Sequence, residues 1–223
     1  MAKAKTADIV LMGRFFDWVK QNAKDSEVLL PVYMLSFMSG LRIQEIAGLR
    51  WDTHIFSSPG TFITRQFPVY SGGKPQYDSN FVPLKESIEV IEITKDISKY
   101  TGGRDIPLAE ELKDPLLHLW KQDRSEYVVP AGNAGAAKDI KSRAHALCVR
   151  ANRWYKKCPY TKDGFTSHSG RRSFGTQSAR MGNLHGCSLR DTQDLLGHSS
   201  IRTTQRYVDV SGSQGSHVRN LWK

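Results

Sequence analysis

Apolar residues recur at helical spacing near the start of the chain. One set follows Thr6 and Asp8 and consists of Ile9, Met12, Phe16 and Val19. A second apolar run extends from Leu30 to Met38 and stops at Ser39-Gly40. The pattern predicts two helices, a break at Ser39-Gly40, and a new helix directly after the break.

The restart of the helix sets the surroundings of Arg42. Arg42 falls in the predicted first turn and Glu45 follows three residues later, so both side chains lie on one face. A carboxylate at that distance can orient the Arg42 guanidinium.

The pattern becomes strand-like between about residues 61 and 108. Short apolar runs predict strands at 61–64, 81–84 and 90–94. The glycine pairs Gly72-Gly73 and Gly102-Gly103 mark turns. This segment predicts a small antiparallel sheet.

Helical spacing then returns. Asp114 and Pro115 predict the start of one helix. A longer helix, rich in Lys and Arg, carries apolar residues at Ile140, Ala144, Leu147, Ala151 and Trp154. Further helices are predicted to follow Thr166 and run to Gly182, to follow Ser188 and end at Gly197, and to start near Ser200. The expected fold class is mostly α with a small antiparallel β-sheet (α+β), in one compact domain over residues 1–223.

The charge balance adds a partner to this picture. The 223 residues include 32 Lys and Arg against 22 Asp and Glu, a net charge of +10. Such an excess favours a polyanion, and nucleic acid is the first candidate. The charge alone also fits a basic protein without a nucleic-acid partner.

Cysteine and hydropathy patterns indicate a reducing, aqueous compartment. The three cysteines include no C-x-x-C pair, so neither a disulfide framework nor a zinc site is predicted. Pro31 interrupts the longest apolar stretch, and no signal-type block follows the N-terminal lysines. We expect a soluble, cytoplasmic protein without a membrane segment.

Two pairs of residues near the C-terminus suggest phosphate chemistry. His168 and Arg171 can reach one point near the positive end of a predicted helix, where an anion is favoured. An isolated H-x-x-R is nevertheless more often two unrelated surface residues. His198 and Tyr207 would lie on opposite faces of a continuous helix, but Gly197 and the serines after His198 break it, so both can face one site.

A tyrosine hydroxyl, with a pKa near about 10, needs help to attack phosphorus. Two arginines suit this task, because each guanidinium presents a planar fork to the phosphate oxygens as their charge develops. A lysine on a flexible turn could protonate the departing oxygen.

Two long segments resemble the tyrosine recombinases, the family of phage and mobile-element integrases. The residues from Leu195 to Tyr207, LLGHSSIRTTQRY, are similar to the C-terminal signature of that family. The segment SGLRIQEI around Arg42, followed by LRW at Leu49, is similar to its first arginine motif. The resemblance covers about residues 8 to 207 and leaves 208–223 as a tail.

The resemblance implies a catalytic set, which falls on Arg42, a hairpin lysine, His168, Arg171, His198 and Tyr207. Glu45 would position Arg42. Lys99 is the best match for the lysine, because it precedes a hairpin strand that exits through Pro107, while Lys74 and Lys95 stay open.

The implied reaction is an attack of Tyr207 on a DNA phosphodiester, which leaves a 3′-phosphotyrosyl link and a free 5′-hydroxyl. Arg42 and Arg171 would hold the phosphate and His198 would bond one of its oxygens. His168 would act as acid and base, and Lys99 would protonate the leaving oxygen. No metal, ATP or other cofactor would be needed.

The implied partner is double-stranded DNA at specific recombination sites, in the nucleoid. The expected assembly is a homotetramer on DNA that is weak or monomeric without it, with possible accessory DNA-bending proteins. Additional DNA contacts are expected from Arg104, Lys141, Arg143 and Arg172.

Three features depart from the family pattern. Ser169-Gly170 stands between His168 and Arg171 where relatives commonly have an acidic residue and leucine. A longer insertion, roughly 67–89, could contact DNA or a protein. The first motif begins early, so we expect no N-terminal core-binding domain, and the chain would be either a fragment or a small single-domain member.

Three other functions fit the sequence less well. A metal-dependent nuclease would need clustered carboxylates, which the motif regions lack. A type IB topoisomerase uses related chemistry and would be distinguished by a relaxed rather than recombined product. A non-catalytic DNA-binding protein of the same fold would have no reason to keep the tyrosine, both arginines and both histidines.

Overall fold

The structure is a computed structural model that describes residues 5–71, 74–98, 103–122, 125–130, 139–185 and 189–208. For Tyr70, residues 180–185 and residues 206–208 it describes the backbone only.

Helices form most of the described chain, with one small antiparallel sheet, as predicted. The helices are α1 (Ile9–Asn22), α2 (Ser26–Met38), α3 (Ile43–Gly48), α4 (Glu110–Gln122), α5 (Ile140–Lys157), α6 (Ser169–His185), α7 (Leu189–Leu196) and α8 (Ile201–Val208). A π-helical turn, Trp51–Ile55, links α3 to the strands. The strands are β1 (Phe56–Ser58), β2 (Thr61–Pro68), β3 (Tyr70–Ser71), β4 (Lys74–Pro75), β5 (Lys85–Ile93) and β6 (Arg104–Pro107).

Two prolines lie inside helices. Pro31 lies within α2, which contains the predicted run from Leu30 to Met38, and the predicted start at Asp114 was wrong, since α4 begins at Glu110 with Pro115 inside. An interior proline costs a backbone hydrogen bond. Burial outweighs that loss in α4, because Leu112, before the proline, and Leu116, after it, are both fully buried.

The four-stranded sheet has the order β1-β2-β5-β6, with antiparallel neighbours. The strand predicted at 61–64 lies within β2, and the strand predicted at 90–94 overlaps the end of β5, which stops at Ile93; both observed strands are longer than expected. The strand predicted at 81–84 was wrong, because Phe81 follows a turn at Ser79-Asn80 and within 81–84 only Pro83 pairs, in an isolated bridge with Tyr77. The Asp78 carboxylate accepts the N–H groups of Asn80 and Val82 there, and Phe81 has a φ of 61°. The described residues of the 67–89 insertion form an arm whose side chains are largely exposed.

Two hydrophobic clusters share α2. One lies between α2, α3, the sheet and α4, and the other is aromatic, where Phe15 of α1 meets Tyr33 of α2 and Tyr155 of α5. The Phe15 ring lies 4.8 Å from the Tyr33 ring and 4.9 Å from the Tyr155 ring. Because α2 is buried on most sides, its C-terminal end is held firmly. None of the described helices is long and apolar enough to cross a membrane.

Gly40 makes the turn between α2 and α3. Its φ is +64°, and a Cβ at this position would meet Cδ1 of Phe174, in α6, at 2.4 Å. Glycine is therefore required both for the backbone conformation and for the approach of α6. This turn places Arg42 at the start of α3.

We expect Gly40→Ala to lower the free energy of unfolding by about 2–4 kcal/mol, from backbone strain and displacement of the Phe174 ring. Urea unfolding followed by circular dichroism measures this change. Gly13→Ala is the matched control: a Cβ on Gly13, within α1, would meet no atom within 4 Å, so alanine should stabilise by about 0.5–1 kcal/mol. Equal effects at both positions would contradict the role given to Gly40.

Candidate functional site

One buried carboxylate, Glu45 of α3, gathers three arginines from distant parts of the chain. Arg42 donates from Nη1 to Oε1 at 3.1 Å. Arg104 donates to both oxygens, at 3.1 and 3.0 Å, and Nη1 of Arg171 lies 3.9 Å from Oε2. The Glu45 side chain is 1% exposed and that of Arg42 is 21% exposed. Of these two, only Arg42 remains open to a ligand.

The arginines keep Glu45 ionised. Burial raises the pKa of Glu45, but hydrogen bonds and positive charge from Arg104, the Arg42 backbone and Arg171 outweigh burial and lower the pKa overall. Glu45 Oε2 also accepts the backbone N–H of Arg42 at 2.8 Å. Arg42 is thus the residue before the first turn of α3, rather than within that turn as the sequence suggested.

Arg171 joins the end of α2 to the end of α7. Its guanidinium donates from Nη1 to the Gly40 carbonyl at 2.6 Å and from Nη2 to the Leu196 carbonyl. The side chain is 5% exposed. These bonds fix its position between the turn that precedes Arg42 and the turn that follows α7.

His198 lies on the turn between α7 and α8, directly after Gly197, whose φ is +59°. Its Nδ1 is 3.0 Å from the Thr204 hydroxyl of α8, and its carbonyl accepts a hydrogen bond from Gln193 at 2.7 Å. Burial and the positive charges of Arg171, Arg42 and Arg104 lower its pKa from 6.5 to about 4, against the opposing effect of Glu45. The ring is therefore neutral at neutral pH and belongs to the same electrostatic cluster.

His168 is exposed and lies directly before α6. The backbone N–H of His168 donates to the Thr166 hydroxyl at 3.3 Å, and its backbone carbonyl accepts the Arg172 N–H at 3.0 Å. The helix begins at Ser169, two residues later than the predicted start directly after Thr166. Among the contacts of the described residues, none joins the His168 side chain to the arginines.

The Ser169-Gly170 pair has a packing role. A Cβ on Gly170 would meet Oγ of Ser36, in α2, at 2.3 Å, and Ser169 is fully buried. The Ser169 hydroxyl accepts the Thr166 N–H at 2.9 Å. Small residues here let α6 approach α2, which brings Arg171 to the Gly40 carbonyl.

The sequence matches the family model described as "Phage integrase family" over residues 14–214. The chain belongs to the phage integrase family. It is 26% identical over 213 residues to the tyrosine recombinase XerC of Treponema denticola, covering 87% of this chain and 64% of the relative. It is 29% identical over 183 residues to the tyrosine recombinase XerA of Thermococcus kodakarensis, covering 81% and 50%. The chain thus spans half to two thirds of the length of these relatives.

Solved structures show the same fold. A crystal structure of XerA recombinase aligns with a TM-score of 0.61 and 16% identity, covering 96% of this chain and 63% of that one. The Tn1549 transposon integrase in complex with a circular intermediate DNA aligns with a TM-score of 0.58 and 18% identity, covering 93% and 63%.

Two positions implied by the phage integrase resemblance are not described in full. The backbone of Tyr207 lies in α8, but its side chain lies outside the described part of the structure. Lys99 lies outside the described residues altogether. Of the alternatives for the lysine, Lys74 is exposed in β4 on the arm, and Lys95 is exposed just after β5.

The expected DNA contacts differ in their surroundings. Lys141 is exposed on α5, and Arg172 is half-buried on α6. Arg143 does not fit a DNA contact, because its buried guanidinium donates to the carbonyls of Ala47 at 3.1 Å and Val129 at 2.7 Å. Arg104 does not fit one either, because it bonds Glu45 and the Leu195 carbonyl, the latter at 3.0 Å from Nε.

The sequence reasoning missed the roles of Arg104 and Thr204. Arg104 is two residues before the buried Ile106 in β6, so strand alternation would have placed both on one face. Thr204 stands within the C-terminal signature, six residues after His198, but its contact depends on the turn angle between α7 and α8. That angle has no local sequence signal.

The lowered pKa of His198 links folding to pH. The unfolded chain binds this proton more readily, so stability present above about pH 6.5 is lost as pH falls toward 4. We expect the stability advantage of wild type over His198→Gln to shrink by on the order of 2 kcal/mol between pH 7 and pH 4.

Urea unfolding at several pH values measures this difference. The pKa of His54 is also lowered, mainly by burial, but His54 is present in both proteins and cancels. Exposed His145→Gln is the matched control and should follow the wild-type curve. Parallel curves for wild type and His198→Gln would contradict the assignment.

Proposed function

We propose that this chain is the catalytic part of a site-specific DNA recombinase that cuts and rejoins DNA through a 3′-phosphotyrosyl intermediate. The observation that carries this proposal is the convergence of Arg42 and Arg171 on one buried carboxylate, with His198 close enough to feel their charges, on the turn directly before the helix that carries Tyr207. The family and the named recombinases among its relatives support it.

In the proposed first step, the Tyr207 oxygen forms a bond to phosphorus and the bond from phosphorus to the 5′-oxygen breaks. The tyrosine loses its proton to a base, and the leaving oxygen takes a proton from an acid. The 5′-hydroxyl of a partner strand reverses the step, so the number of phosphodiester bonds is conserved. No energy source is required.

Each described residue has a role in this step. Arg42, still partly exposed, bonds the nonbridging oxygens, and the nearly enclosed Arg171 adds its positive charge beside them, where negative charge builds up in the transition state. His198 stays neutral and, with Nδ1 facing the Thr204 hydroxyl, can donate from Nε2 to a phosphate oxygen. His168, exposed before α6, exchanges protons with the reacting oxygens, and Lys99 protonates the leaving oxygen.

The proposed partner is double-stranded DNA. The similar solved structures include the Tn1549 transposon integrase with circular intermediate DNA and XerH recombinase bound to a palindromic difH substrate. We further propose a homotetramer on DNA, with accessory DNA-bending proteins, in the nucleoid. The exposed Lys141 and the half-buried Arg172 are the DNA contacts that the fold supports.

Covalent trapping on nicked DNA tests the nucleophile. The full chain is incubated with a pool of nicked DNA duplexes of random sequence. The mixture is then denatured, and the DNA strands that stay attached to the protein are sequenced. We expect the wild-type protein to become attached to the 3′-phosphate of the cleaved DNA strand. The other DNA end should carry a 5′-hydroxyl, which polynucleotide kinase labels directly. Tyr207→Phe should form no adduct but keep noncovalent binding. Adducts on Tyr207→Phe would exclude this tyrosine as the nucleophile.

The sequences trapped on Tyr207 also separate recombination from relaxation. When two duplexes that carry such a sequence are incubated together with the wild-type protein, we expect products in which strands have been exchanged between the duplexes. Relaxed circles without exchanged strands would support a topoisomerase instead.

Adduct formation in excess EDTA tests the metal hypothesis. Because two guanidiniums and a histidine supply the charge stabilisation, the rate should stay within about twofold of the untreated rate. A loss that added Mg²⁺ restores would show that a metal takes part.

A further inference from the structure

Arg104 uses every nitrogen of its guanidinium inside the protein. Nη1 and Nη2 donate to the two oxygens of Glu45 at 3.1 and 3.0 Å, and Nε donates to the Leu195 carbonyl at 3.0 Å. Its side chain is 8% exposed. The sequence separations are 59 and 91 residues, so this one side chain joins β6 to α3 and to α7.

The carbonyl it holds lies in the last turn of α7. The final carbonyls of a helix have no partner within the helix. Arg104 binds that of Leu195, and Arg171 binds that of Leu196. The next two residues are Gly197 and His198, so two guanidiniums that share Glu45 fix the turn that presents His198.

A lysine could not replace this arrangement. An ammonium is a point donor on a flexible stem, whereas the guanidinium bonds a carboxylate with two parallel N–H groups and keeps Nε for a third acceptor. Arg104 also lies close enough to His198 for its charge to lower the histidine pKa. Its hydrogen bonds and its effect on His198 together indicate that Arg104 supports the residues that face the phosphate.

We propose that Arg104 is a positioning residue, which sets the His198 turn relative to Arg42 and Arg171 without contacting DNA. This inference rests on the proposed function. It replaces the expectation, taken from the sequence, that Arg104 binds a DNA phosphate.

The test compares Arg104→Lys, which keeps the charge, with Arg104→Gln, which removes it. Glu45 keeps Arg42 and Arg171 as partners in both variants. Arg190→Lys is the matched control, because Arg190 is exposed on α7 and has one acidic partner, Asp194. The DNA is a nicked duplex of a sequence trapped on wild type, and all proteins are assayed at a temperature below their unfolding transitions.

At saturating DNA we expect the rate of adduct formation to fall at least about tenfold in both Arg104 variants, because the reacting groups are misplaced. Arg190→Lys should stay within about twofold of wild type. DNA affinity and its salt dependence, measured in the Tyr207→Phe background, should not change. In Arg104→Gln the acid limb of the pH–rate profile should move to higher pH, since one positive charge near His198 is gone, whereas in Arg104→Lys it should not move.

Three outcomes would overturn the inference. If the dependence of DNA affinity on salt concentration fell in the Arg104 variants by the amount expected for about one phosphate contact, Arg104 would be a DNA ligand. If Arg104→Lys formed the adduct as fast as wild type, the hydrogen bonds of the guanidinium to Glu45 and Leu195 would not be needed. Loss of cooperative unfolding in both variants would assign Arg104 to the fold alone. Failure of wild type itself to form an adduct would instead reject the proposed function.

Discussion

The Glu45 carboxylate is the constraint on which the site depends. Three guanidiniums surround one carboxylate, which leaves an excess of two positive charges in a largely buried volume. Without Glu45 the arginines would repel one another and lose their common acceptor, and a buried charge without a partner is strongly destabilising. The carboxylate therefore both tolerates burial and sets the spacing of the arginines.

The same cluster explains the different roles of the arginines. Arg104 and Arg171 are almost fully enclosed and hold backbone carbonyls at helix ends, while Arg42 keeps an exposed side. Burial, together with the excess positive charge, keeps His198 neutral, and the same charge attracts an anion to the exposed side of the cluster. Binding of a phosphate would lower the electrostatic cost of the cluster, so recognition and stability are coupled.

Local signals predicted the elements that local interactions decide. The break between α7 and α8 follows from Gly197 and the serines after His198, and the contact of Arg42 with Glu45 follows from a three-residue spacing. The start of α4 was predicted wrongly at Asp114, because burial of Leu112 and Leu116 outweighs the hydrogen bond lost at Pro115. Arg104 was assigned to DNA because its partners lie 59 and 91 residues away, where no local pattern points.

The long sequence separations within the cluster have a consequence for protein synthesis. Arg171 bonds a carbonyl 131 residues earlier in the chain, at Gly40, and another 25 residues later, at Leu196. A ribosome-bound chain that ends before α7 contains Arg171 and the Gly40 carbonyl but lacks the Leu196 carbonyl. Contacts of this range form late in folding. The bridge that Arg171 makes between the two turns can therefore be completed only after α7 has been synthesised.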